Sequence, residues 1–290
     1  VLSSSNTIEI TWKAMYQAIN AANNVISAIS TVEDPGLTED ERKNILGQAQ
    51  FIRALVYFDL ARTFGGVPLV LTPTRGLTDE SFPARSTVEQ VYTQVINDLT
   101  EAEKNLPDVV NRNLAHKKAA QALRARVALY QKDWETAENY AKLLIESPDF
   151  SLAQPFEKII TEKENTESIF ELAYNVTDQN QLSAFFYPAN MGGYYRVGPT
   201  DELVAILKDP LKAGTRSVLL GELDDAPYAN RYRNAVGSAN DDNYAVLRLA
   251  EMYLIRAEAR ANRDNTDGAA DDLDEVRHRA GLGDTPAATK

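Results

Sequence analysis

The chain is predicted to be mostly α-helical: tetratricopeptide-like helical hairpins (an α–α superhelix) carrying an irregular, loop-rich insert and a few short strands. Three observations predict this. Apolar residues recur at helical spacing early, in the middle and late, and each run ends at a glycine or a proline. Residues 117–148 read as two helices joined by a short turn, with the small Ala137 at the crossing. Between 150 and 243 the periodicity weakens, and Tyr, Asn, Gly and Pro take over. The expected organisation is one domain, 1–290, with a helical scaffold over 8–148 and 244–282 and an aromatic insert over 150–243.

The elements follow in order. Trp12, Met15, Ile19 and Ala22 predict a helix over 8–30, and Glu33-Asp34-Pro35-Gly36 a turn. Thr38 caps the next helix, with Glu41 three residues on completing a capping box. Phe51, Leu55 and Phe58 form its stripe; Gly65-Gly66 release it near Thr63, and Pro68 prevents continuation. Val67–Pro73 reads as an extended apolar piece. Ser86, followed by Glu89, is expected to cap a helix over 87–106. Ala119, Leu123, Val127 and Tyr130 then mark one helix, and Trp134, Ala137, Ala141 and Leu144 its partner. Ser168–Tyr174 alternates as a short strand, and Thr200 caps a helix to Lys208. From Tyr244 a helix is expected, with Leu249, Met252, Arg256 and Ala257 on one face, Ala250, Leu254, Ala257 and Ala261 as a close-packing face, and Asp264–Gly268 as the turn. Ala269, Leu273, Val276 and Ala280 line the last helix, with Asp271, Asp272, Asp274 and Glu275 on a solvated face.

Composition excludes several functions. With 30 basic against 42 acidic residues the net charge is −12, which repels phosphate backbones, so no nucleic-acid partner is expected. There is no cysteine, hence no disulfide, thiolate metal site or thiol nucleophile. No run of about 18 apolar residues exists to span a bilayer. His116 and His278 sit in unrelated contexts and are expected to pack or lie on the surface. Asp264–Gly268 fails as a calcium loop, because Arg263 would occupy the first ligand position. No metal and no cofactor is expected, and no nucleophile–base pair is recognisable.

Three stretches carry a family resemblance. Arg53-Ala54-Leu55-Val56-Tyr57-Phe58-Asp59-Leu60 followed by Thr63-Phe64-Gly65-Gly66-Val67-Pro68-Leu69-Val70 is one. Leu247–Ala259 (LRLAEMYLIRAEA) is the second, and Val276–Leu282 (VRHRAGL) the third. In this order they resemble the SusD/RagB family of outer-membrane nutrient-binding lipoproteins. The resemblance implies a non-catalytic protein on the extracellular face of a Bacteroidetes-type outer membrane. Such a protein captures oligosaccharides, or peptides in some relatives, and delivers them to a SusC-like TonB-dependent transporter. It also implies membrane attachment only through an N-terminal lipid anchor of the full-length precursor. No such cysteine occurs here, and a trimmed or unusually short member is expected.

A sugar site needs flat aromatics for the apolar faces of the rings and Asn, Asp or Arg for the hydroxyls. The insert supplies Phe186, Tyr187, Asn190, Tyr194, Tyr195 and Arg196 around Gly192-Gly193, and further on Tyr228, Asn230, Arg231 and Tyr232. The expected ligand-binding residues are Tyr187, Asn190, Tyr194, Tyr195, Arg196, Tyr228 and Tyr232. Packing of these rings on the scaffold is the competing reading. Binding by stacking and neutral hydrogen bonds to an uncharged glycan predicts Kd of about 10 µM to 1 mM. The alternative is a peptide- or protein-binding helical-repeat scaffold, which would expose its aromatics along the inner helices instead.

Overall fold

A computed structural model describes residues 6–76, 83–224, 226–232 and 241–286. Eleven α-helices and four short strands lie among these residues. The chain divides into two compact units, Val1–Gln131 and Lys132–Lys290.

The first unit holds α1 (Asn6–Ala28), α2 (Glu39–Phe64), α3 (Val88–Asn105) and α4 (Lys117–Gln131). The expected helix start at Thr38 forms: its hydroxyl accepts from the Glu41 amide at 3.2 Å, and Glu41 accepts from the Thr38 amide at 2.8 Å. α2 packs on α1, α3 and α4, so its burial extends beyond one stripe. Phe51, Ala54, Tyr57, Phe58, Leu60 and Ala61 are all buried, each large ring or aliphatic side chain contributing about 1.5–3 kcal/mol. Leu55 remains half-exposed.

Beyond Gly65 (φ 76°) the chain must hug its neighbours. A Cβ on Gly66 would lie 2.2 Å from the Ser86 carbonyl oxygen. Val67–Pro73 lies outside any helix, with a bridge from Pro68 to Arg85 and a bend at Thr72, and side chains hold it. Tyr16 Oη donates to Pro68 O at 2.8 Å, Asn23 Nδ2 to Val70 O at 2.8 Å, and the Val70 amide to Tyr57 Oη at 2.7 Å. The cap of α3 differs from expectation by one residue. The Ser86 amide is committed to Val67 O, so Thr87 becomes the cap and Gln90 closes the box.

The second unit opens with α5 (Trp134–Ile145), so both helices of the middle repeat form, one in each unit. There follow α6 (Lys158–Thr161), β1 (Ser168–Leu172), α7 (Leu182–Phe186), α8 (Asp201–Lys208) and α9 (Pro210–Ala213). The chain then runs through β2 (Leu220–Leu223), β3 (Ala226–Ala229), β4 (Tyr244–Arg248), α10 (Leu249–Asn262) and α11 (Thr266–Arg279). α10 packs between α5 and α11.

Four expectations change here. Tyr244–Arg248 is a strand, antiparallel to β1 with Leu172 opposite Tyr244, and the helix begins only at Leu249. The β2–β3 hairpin occupies a stretch whose mixed composition suggests irregular chain. Asp272 is not solvated: it is 1% exposed, bonded by Arg256 Nη2 at 2.6 Å and Arg260 Nη1 at 3.0 Å. Leu254, by contrast, is 45% exposed, because Met252, Ile255 and Ala259 face the core instead.

Candidate functional site

The insert is fastened from the backbone outward. Residues 194–197 lie along α7: the amide of Tyr194 donates to Ala184 O at 2.6 Å, and those of Arg196 and Val197 to Phe185 O at 2.9 and 3.0 Å. The Tyr195 amide donates to Tyr187 O at 3.1 Å. This return is possible because Gly193 has no side chain, since a Cβ there would sit 1.9 Å from the same Tyr187 oxygen. Gly192 (φ 79°) makes the turn, and Tyr195 itself is held at φ 44°, a strained value for a tyrosine.

The two candidate segments, distant in sequence, form one patch. The Tyr187 ring meets Tyr228 edge-on at 5.4 Å, and its hydroxyl donates to Tyr232 O. Asn190 Nδ2 donates to Asp224 Oδ2 at 2.9 Å at the tip of the β2–β3 hairpin. Tyr195 Oη donates to Pro227 O at 2.5 Å.

Within this patch the expected residues separate into two layers. Tyr187 and Tyr232 are 2% and 6% exposed. Burial pushes both hydroxyls up to about 12, and neither ring offers a free face, so both are corrected from ligand contacts to supports. Tyr228 is half-buried against Gly221, where a Cβ would meet its ring at 2.1 Å. Asn230 and Arg231 spend donors on the carbonyls of Val218 and Ile159. Asn190, Tyr194, Tyr195 and Arg196 are exposed, Tyr194 at 63%. The Arg196 guanidinium lies over the Tyr194 ring, 5.6 Å from its centroid, and Phe185 meets that ring edge-on at 6.3 Å. Sequence reasoning missed Asp224 and Phe185. Asp224 is a hairpin-turn residue (φ 51°) that becomes relevant only once the hairpin reaches Asn190.

Other candidates resolve as packing. His116 is buried, with Nδ1 accepting from the Ala119 amide at 3.3 Å at the start of α4. His278 lies on the surface beside Asp284 at 2.7 Å. Asn265 accepts from the Gly268 amide at 3.1 Å and caps α11, so that turn is structural. Among the described residues no group of three or more His, Asp or Glu could hold a metal ion. A depression of about 810 Å³ in the first unit is lined by Ile8, Trp12, Phe64, Thr7, Thr11 and Thr63. Its one carboxylate, Glu9, is occupied by Lys13 at 2.6 Å, and its rim offers only hydroxyls.

The insert thus carries exposed rings on a backbone fastened to α7, with the Tyr195 side chain tied to the hairpin. Residues 2–129 match the family described as starch-binding associating with outer membrane, and residues 225–290 match the SusD family. The chain belongs to the SusD/RagB family. A SusD-like protein of Formosa agariphila, P38, is 34% identical over 148 residues, covering 51% of this chain and 28% of that one. A SusD-like protein of Bacteroides ovatus is 27% identical over 53% of this chain and 30% of that one. The matched segments therefore span under a third of the length of these two relatives. Among solved structures, a SusD superfamily protein from Parabacteroides distasonis superposes with a TM-score of 0.86 at 22% identity, covering 100% of this chain and 70% of that one. A laminarin-binding SusD-like protein superposes with a TM-score of 0.79 at 23% identity, over 95% of this chain and 71% of that one. These two likenesses show the fold.

Proposed function

We propose that this chain binds an oligosaccharide on the exposed face of the insert, without catalysis, and that it does so at the outer membrane surface for delivery to a SusC-like TonB-dependent transporter. The observation that carries the reading is the pair of exposed rings, Tyr194 and Tyr195, on a backbone pinned to α7 and to the hairpin. A platform ordered before the ligand arrives loses little entropy on binding. Family membership supports a glycan as the ligand class, as does the laminarin-binding relative. No helix among the described residues is long and apolar enough to cross a membrane, which agrees with surface attachment by other means.

The distribution of exposed rings favours sugar over peptide. Phe185, Tyr194 and Tyr195 are exposed in the insert, whereas the exposed Tyr130 of α4 packs edge-on against Phe58 at 5.1 Å. Calorimetric titration against a panel of oligosaccharides tests the reading, with Kd expected at about 10 µM to 1 mM. Tyr194→Ala combined with Tyr195→Ala should abolish the heat of binding and leave the melting temperature within a few degrees. Undiminished binding by that variant, or reproducible release of shorter sugars by the wild type, would reject it.

A further inference from the structure

Arg196 is the exposed arginine of the patch. In a chain of 42 acidic and 30 basic residues some arginines, such as Arg42, Arg216 and Arg231, bond to carbonyls, and others find carboxylates. Arg53, Arg62, Arg256, Arg260 and Arg263 all do. Arg196 has no carboxylate within 4.0 Å among the described residues. Among the described residues of the patch, the Asp224 carboxylate accepts from the Asn190 amide. Its contact is instead the Tyr194 ring, 5.6 Å from guanidinium carbon to centroid. Nor is the position a floppy one, because the Arg196 and Val197 amides both bind Phe185 O. A planar fork of donors is thus held over an exposed ring, with no carboxylate partner among the described residues. Any saccharide seated against Tyr194 brings its ring substituents within reach of that fork.

The geometry points to a ligand class narrower than glycan. We infer that Arg196 selects saccharides bearing an anionic substituent, a uronate carboxylate or a sulfate ester, which it binds by paired charge-assisted hydrogen bonds. This rests on the glycan-binding reading above and departs from the uncharged ligand that the sequence suggests. The net charge of −12 makes such a local cation more necessary, since the rest of the surface repels an acidic polymer.

The test is calorimetry with three forms of one oligosaccharide backbone: neutral, uronate-bearing and sulfated. Each is titrated into the wild type, Arg196→Gln, Arg196→Lys and the Tyr194→Ala/Tyr195→Ala variant. The wild type should bind at least one anionic form about fivefold or more tighter than the neutral one, the scale of a solvent-accessible ion pair. The stronger of the two arms identifies the group. Arg196→Gln should bring the anionic-to-neutral ratio to about one, and Arg196→Lys should restore part of it, since a point charge lacks the fork. Equal affinities in the wild type, or a preference surviving Arg196→Gln, would overturn the inference while leaving the glycan reading intact. Displacement of the anionic sugar by polyglutamate at similar concentration would also overturn it, by making the site one for acidic peptide. Binding of all three forms that persists without the two tyrosines would instead remove the surface itself.

Discussion

At the scale of single residues, the signature that identifies the family encodes scaffold, not ligand. Arg53 opens the first motif and is buried, gripping Asp98 through Nε at 2.8 Å and Nη2 at 2.7 Å, with Nη1 on Asn23 at 2.8 Å. Asn23 in turn carries the 67–73 segment. Arg256 in the second motif holds Asp272, and Arg279 in the third lies buried against Glu167 and over Phe156 at 4.7 Å. Burial lowers the Arg279 pKa, with Glu167 acting against that shift. Buried pairs of this kind are costly to break and of little net value. Asp98→Ala should therefore lose about 3–5 kcal/mol in urea unfolding, because Arg53 is left charged and alone. Arg53→Met with Asp98→Leu should recover most of that loss; a double variant as unstable as the single one would contradict this account.

Elements decide which face of a helix matters. α10 has neighbours on two sides, α5 and α11, and the faces used are those of Met252, Ile255, Ala257 and Ala259. Periodicity admits a second face through Leu254, and the structure exposes it. The two choices are separable by experiment. Leu254→Asp should change stability by no more than about 0.5 kcal/mol. Met252→Asp, placing an unpaired charge where the side chain is 0% exposed, should cost several kcal/mol and abolish the cooperative melt. Equal effects of the two would mean that α10 is turned differently. The strand β4 teaches a related lesson. Tyr244–Arg248 has helix-compatible residues, but β1 offers backbone partners, and the Leu249 amide reaches Glu167 O at 2.9 Å where the strand gives way to helix.

For the molecule as a whole, the buried tyrosines set a limit in alkali. Burial pushes the hydroxyls of Tyr57, Tyr187 and Tyr232 up to about 12. Below about pH 10 these groups are protonated folded or unfolded, so they impose no pH dependence. Between about pH 10 and 12 the unfolded chain releases these protons and the folded one does not, which favours unfolding. The urea midpoint should accordingly hold up to pH 10 as far as these groups are concerned and fall from there to 12. A flat profile over that window would show the hydroxyls to be solvated.

What the sequence determined by itself is local. The Thr38–Glu41 box, the Gly65-Gly66 release, the Thr200 cap and the spans of α2, α4 and α8 were all legible, because each depends on residues within a few positions of one another. The ordered motifs pointed to the family for the same reason, as runs of fixed spacing. Only the tertiary structure decided what long-range contacts decide. It made Asp272 a buried anchor and Leu254 a surface residue, and it turned a helical-looking Tyr244–Arg248 into a strand. It divided a uniform list of insert tyrosines into supports (Tyr187, Tyr232) and exposed rings (Tyr194, Tyr195). The physical reason is that burial and pairing belong to the partner a side chain meets. In an insert without regular periodicity, nothing in the order of residues names that partner.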